Sequence, residues 1–174
     1  MKISNQIKTQ IQSQSGFTFV EVMIAITIFS VGILGLMTTT HTVSHNQRNA
    51  DSMTEATLIA SDRMEEIKRM ATNEPQGGSF GFDYFVDDQT GGFLDGYSTP
   101  NDQTRTLSET LTGGYTRMTT VTVYPSTAWA TEDFTAPETI HMVEVLVNVS
   151  YPTSTGATNN VLLNTVLQRR QFIQ

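Results

Sequence analysis

Residues 15–37 read SGFTFVEVMIAITIFSVGILGLM. The run after Gly16 is apolar and has the length, about twenty residues, that a helix needs to cross a hydrocarbon core. One full charge, Glu21, interrupts it near its start. A carboxylate well inside hydrocarbon costs about 2.5–3.5 kcal/mol even on lenient insertion scales. The position of that acid, and the glycine at which the apolar run begins, set the reading of the whole chain.

An ordinary secretory signal has its cleavage site after the apolar stretch, behind small residues. Here the small residue, Gly16, lies before it, and the preceding MKISNQIKTQIQSQSG is long, polar and charged only through Lys2 and Lys8. A cut after Gly16 would keep the apolar run as the new N-terminus and give Phe17 a free amine. Glu21 follows one helical turn later. An ammonium and a carboxylate in an apolar surround each need a partner. Glu21 is therefore placed to neutralise an N-terminal amine, its own or a neighbour's. The alternative is an ordinary membrane anchor with one acid near the interface, where the charge reaches water at little cost.

The stretch GFTFVE, with its leader and apolar helix, resembles the class III signal of type IV pilins and their relatives. That signal is a short basic leader ending in glycine, then phenylalanine, then glutamate as the fifth mature residue. Gly16, Phe17 and Glu21 match it residue by residue, and the resemblance is close over residues 10–45. It implies cleavage between Gly16 and Phe17 by a prepilin peptidase, N-methylation of Phe17, and pairing of Glu21 with a neighbouring subunit's amine during assembly. It also implies other pilin subunits as partners in a homo- or heteromeric filament, through the N-terminal helix. The implied location is the bacterial inner membrane, single-pass with a periplasmic C-terminal domain, and then the pilus at the cell surface.

The remaining composition narrows the function classes. The chain has 174 residues, a net charge of −7 and no cysteine. Disulfides and thiol chemistry are excluded, and no basic field invites nucleic acid. A local patch from Arg105, Arg117, Arg169 and Arg170 is the one exception to weigh. No P-loop, dinucleotide-binding glycine pattern, zinc-finger spacing or GxSxG motif is present. His41 and His45 lie four apart, but HTVSH is not HExxH and no third ligand accompanies it. Asp83, Asp87, Asp88 and Asp95 depart from EF-hand spacing, so a solvated acidic loop is the simpler reading. No catalytic residue, metal site or cofactor is expected, and the chain is read as the substrate of an enzyme rather than as one.

Five segments are expected: a leader over 1–16, a transmembrane and assembly helix over 17–37, its amphipathic continuation over 38–72, a variable loop over 73–114, and an antiparallel sheet over 115–174. No proline occurs before Pro75, so nothing breaks a helix from 17 to about 71. Met53, Ala56, Ala60, Met64, Ile67 and Ala71 form one apolar stripe, with Asp51, Glu55, Asp62, Glu65 and Arg69 opposite. Leu58 falls on the acidic side, where it is placed to meet a neighbouring subunit. Strands are predicted over 115–124, 140–152 and 160–172, with Pro152 and Gly156 in a hairpin between the last two. Val143, Val145, Val147 and Val149 alternate to one face that should cover the helix stripe. Phe80, Phe82, Tyr84, Phe85 and Phe93 are expected to pin the loop to the sheet, with Trp129 and Phe134 anchoring a second loop. The expected fold is α+β, a long N-terminal helix with a membrane-spanning first half, packed on an antiparallel sheet of three to four strands, as in pilins.

Two function classes follow, with a third in reserve. The first is a minor pilin of a type IV pilus that helps initiate or cap assembly; the sequence is similar to the V-type minor pilins. The second is an I-type minor pseudopilin of the type II secretion system. The reserve is an adhesive or DNA-uptake module displayed on the fibre. The long segment 76–114 favours the pilus reading.

Overall fold

The computed structural model describes residues 16–73, 81–124 and 132–169. All of the leader except Gly16, together with Phe80, Trp129 and Arg170, lies outside the described residues. Helix α1 runs unbroken from Phe19 to Thr72, as the absence of proline predicts. The chain divides into two compact units, one ending at Ser44 and the other beginning at His45.

In the first unit every described residue up to Ser44 is exposed. Phe17, Phe19, Ile28, Phe29 and Leu36 are among its bare apolar side chains. By length and composition this part of the helix suffices to cross a membrane, and none of its most apolar window is buried. Several of its hydroxyls are satisfied within the helix. Thr27 donates to the Met23 carbonyl at 2.8 Å and Ser30 to the Ile26 carbonyl at 2.7 Å. Back-bonding of this kind lets a polar side chain sit in hydrocarbon without an outside partner.

In the second unit the helix packs on a five-stranded antiparallel sheet. Strands β1 (Ser98–Asn101), β2 (Thr104–Thr110), β3 (Thr116–Val123), β4 (Met142–Pro152) and β5 (Thr158–Gln168) follow one another in chain order across it. Val143, Val145, Val147 and Val149 are fully buried, as are Ala56, Ala60 and Ile67 of the stripe. Met53 is the exception, more than half exposed at the end of the stripe. Arg63 is buried although the apolar pattern did not include it. The β4–β5 hairpin closes where predicted, with Thr153 donating to the Ala157 carbonyl at 2.8 Å and Gly156 at φ +82°, a value that favours glycine.

The sheet exceeds the expected three to four strands because β1 and β2 lie within 73–114, the segment read as a loop. Strand β2, TRTLSET, places Arg105, Leu107 and Glu109 on one face and threonines and a serine on the other. With a single aliphatic residue in seven, it lacks the apolar alternation that marks a strand. It pairs nonetheless, from Thr104 opposite Thr122 to Thr110 opposite Thr116. The preceding segment supplies core as well: in the short helix α2 (Phe82–Val86), Phe82, Phe85 and Val86 are buried, and so is Leu94. Gly92 is needed there, because a Cβ would lie 2.3 Å from the Asp87 carbonyl oxygen.

Three arginines, each stacked on a phenylalanine, hold these irregular segments. Arg63 lies over Phe93 and donates to the Tyr97 hydroxyl at 2.8 Å. Arg105 lies over Phe134, itself buried as predicted. Arg169 lies over Phe82 and donates to the Ile140 and Pro137 carbonyls, both at 2.9 Å.

Candidate functional site

Gly16, Phe17 and Glu21 come together at the start of α1 for a local reason. Thr18 is the last residue before the helix, and its side-chain oxygen accepts a hydrogen bond from the Glu21 backbone N–H at 3.3 Å. Glu21 returns the interaction. Its Oε2 accepts from the Thr18 backbone N–H at 2.9 Å and from the Thr18 hydroxyl at 3.0 Å. This reciprocal arrangement is a capping box, which satisfies N–H groups left without partners at a helix start. The Thr-x-x-Glu spacing over 18–21 is its sequence signature, which a reading based on the charge of Glu21 alone does not use. The cap sets the first helical residue at Phe19, so the Gly16–Phe17 bond lies outside the helix.

Among the described residues Gly16 has no packing neighbour. A Cβ built there meets nothing within 4 Å among the described residues. Phe17 is 88% exposed and lines one groove of the helix surface together with Glu21, Val22, Ala25, Ile26 and Phe29. Glu21 Oε2 is thus committed within the chain, while Oε1 takes no hydrogen bond among the described residues.

The other candidates do not assemble into a site. Asp83 pairs with Arg169 at 2.5 Å, Asp88 pairs with Arg105, Asp87 Oδ1 accepts the Gln89 N–H, and Asp95 Oδ2 accepts the Gly91 N–H. Among the described residues no group of three or more His, Cys, Asp or Glu is placed to hold a metal ion. The described arginines of the patch are likewise each taken up by an acid, with Arg117 on Glu109 at 2.8 Å. A buried carboxylate absent from the sequence expectations, Glu132, contacts His141 Nδ1 at 2.7 Å and accepts from the His141 N–H at 3.2 Å. It joins the start of one described segment to the approach of β4.

Residues 11–37 match the family model described as the prokaryotic N-terminal methylation motif. The matched span contains Gly16, Phe17, Thr18 and Glu21. No curated protein and no solved structure matches the chain significantly. The motif, with a long helix packed on an antiparallel sheet, supports a type IV pilin-like protein of the pilin or pseudopilin class. It also fits anchoring in the inner membrane, processing by a prepilin peptidase and assembly with other pilins.

Proposed function

We propose that the chain is a structural minor pilin of a type IV pilus, of the V type. In this reading a prepilin peptidase cuts between Gly16 and Phe17, the Phe17 amine is methylated, and the mature subunit enters a filament where it helps initiate or cap assembly. The observation that carries the reading is the N-terminal methylation motif placed at the head of an apolar helix with no cover of its own. So large a bare apolar surface needs lipid first and protein neighbours later. Gly32 and Gly35 support the second requirement, since a Cβ at either meets nothing within 4 Å among the described residues. Such residues cost helix stability and let another helix come close.

The subunit is structural and acts in place, with no catalytic step of its own. Before assembly it is held in the inner membrane with its C-terminal domain in the periplasm. The α2, β1 and β2 elements favour the pilus over the I-type pseudopilin, which is generally shorter. An adhesive or DNA-binding role has no comparable support, since Arg105, Arg117 and Arg169 are each matched by an acid.

The deciding experiment is mass spectrometry of the N-terminus in sheared filaments. A chain starting at methylated Phe17 is the expected result. An intact Met1, or a cut beyond residue 37, would refute it. Recovery only with secretion filaments would transfer the protein to the pseudopilin class.

A further inference from the structure

We infer that the free edge of β5 is a docking site for an extended strand from a different protein of the assembly, an uncharged strand that alternates aliphatic with amide or hydroxyl side chains. The inference rests on the proposed pilin function and adds to it a contact outside the N-terminal helix.

Strand β5 has β4 on one side and no described strand on the other. Two hydrogen bonds fix which of its backbone groups point outward. The Thr153 N–H donates to the Ala157 carbonyl and the Arg169 N–H to the His141 carbonyl, both at 2.8 Å. Bonded and non-bonded pairs alternate along an antiparallel ladder. The register runs unbroken from Pro152 opposite Thr158 to Met142 opposite Gln168, so the odd-numbered residues of β5 bond to β4. The even-numbered ones turn their N–H and carbonyl groups to the open edge. No hydrogen bond among the described residues reaches those groups. Their side chains lie on the face of the sheet away from the helix, where Leu162 is 54% and Val166 46% exposed.

Free edges are normally blunted by shortness, proline, charge or a bulge. The opposite edge of this sheet is blunted, since β1 has four residues, includes Pro100 and pairs with a register shift. Strand β5 has eleven residues, TNNVLLNTVLQ, with no proline, charge or bulge. Its outward row is Asn160, Leu162, Asn164, Val166 and Gln168. Main-chain bonds along such an edge give affinity, and the alternate side chains give specificity. Aliphatic residues match Leu162 and Val166, and amides or hydroxyls match the other three. A charged strand would find no counter-charge on β5, and the acid beside it on β4, Glu144, already accepts from the Asn164 amide at 2.6 Å. A second copy is a poor donor. Its β1 is too short and carries Pro100, and its β5 pairs antiparallel only through a two-fold axis normal to the sheet. That axis reverses the second helix where it lies against the sheet, whereas subunits held in one membrane by that helix point the same way.

The test uses the full-length chain expressed beside the complete pilus machinery. Asn164→Pro removes one outward N–H and leaves the ladder to β4 intact, a position where an edge strand tolerates proline. Asn164→Ala keeps the N–H. Leu162→Lys combined with Val166→Lys puts charge on the edge. All variants should be cut after Gly16 and reach the wild-type membrane level. The sheared-fibre fraction of Asn164→Pro and of the double lysine variant should fall on the order of tenfold, the worth of one or two hydrogen bonds. Asn164→Ala should lose clearly less than Asn164→Pro, and Ser108→Lys, on the same face near the opposite edge, should enter fibres like wild type. If Asn164→Pro melts below wild type, the double lysine variant alone decides. Wild-type incorporation of the double lysine variant, or an equal loss in Ser108→Lys, would overturn the inference. Asn164→Cys in cells supplies a further arm, because the chain has no other cysteine. Two copies paired about Asn164 would hold these cysteines within disulfide reach. A disulfide-linked homodimer would therefore overturn the assignment to a different protein. Failure of the wild type itself to be cut after Gly16 would instead refute the proposed function.

Discussion

The Arg105 guanidinium lies 2.5 Å from the carboxylate of Asp88, seventeen positions earlier in the chain. Arg105 Nε also donates to the same Asp88 oxygen at 2.9 Å, and Nη1 donates to the carbonyls of Asn101 and Thr104. A fully charged side chain thus stands at an inward-facing position of β2, where a pattern search expects an aliphatic residue. Its partners tie β2 to the segment that follows α2, and the stack on Phe134 extends the tie to the loop before β4. Arg105→Ala should leave Asp88 without its partner and lower stability by about 3 kcal/mol, the low end for breaking a buried pair. Urea unfolding of residues 45–174 would measure it.

The same pair predicts a pH response. Burial alone would raise the Asp88 carboxyl, but the hydrogen bonds and charge of Arg105 outweigh it and hold the group below its usual range. A carboxyl lowered in the folded state adds stability above its unfolded value, about 3.9, and loses it as pH falls through the folded value. Asp133, lowered by hydrogen bonds from Thr135, acts in the same direction. Stability should therefore drop below about pH 4. Asp88→Asn should be less stable at neutral pH and show a shallower acid limb in thermal melts at graded pH. Equal slopes for the two proteins would remove Asp88 from the explanation.

Removal of the helix should be ruinous for the sheet. A fragment of 45–174 keeps the stripe and the valine face together and should be soluble and folded. A fragment of 75–174 exposes Val143, Val145, Val147 and Val149 and should aggregate. Circular dichroism and sedimentation of the two fragments provide the comparison. Within the longer one, Ile67→Ala should cost about 2–5 kcal/mol as a core truncation. Ala60→Leu should cost about 1–3 kcal/mol by overpacking.

Gly16 separates folding from processing. Since a Cβ there meets nothing, Gly16→Leu should leave the melting of the purified, detergent-solubilised chain unchanged. It should nonetheless block the cut, because a peptidase must fit the backbone on either side of the scissile bond. Efficient processing of Gly16→Leu would show that no neighbour reads this glycine.

Glu21→Ala should insert and be cut after Gly16 yet enter filaments poorly, and Glu21→Asp should be intermediate because its reach is shorter. The processed membrane pool compared with the sheared-fibre fraction supplies the measurement. If Glu21→Ala is incorporated like wild type, Glu21 is only an interfacial acid and a local cap.

Residues 15–37 alone determined the motif, the apolar run and the expected position of the cut, because these depend on composition and short-range order. Periodicity determined the stripe from Ala56 to Ala71 and the valine face, since a regular helix and strand each repeat their facing positions at a fixed interval. Strand β2 and the burial of Arg63 and Arg105 were decided only by the tertiary structure. Charged or threonine-rich residues do not announce burial. Arg63 can face inward because Tyr97 and Glu66 accept its hydrogens, and Arg105 because Asp88 and two carbonyls do. Tyr97 and Asp88 lie 34 and 17 positions away along the chain, a separation no local pattern encodes, whereas Glu66, Asn101 and Thr104 are near neighbours in sequence. The Thr18–Glu21 box lies between the two cases: its spacing is written in the sequence, but its three hydrogen bonds exist only once the helix has begun at Phe19.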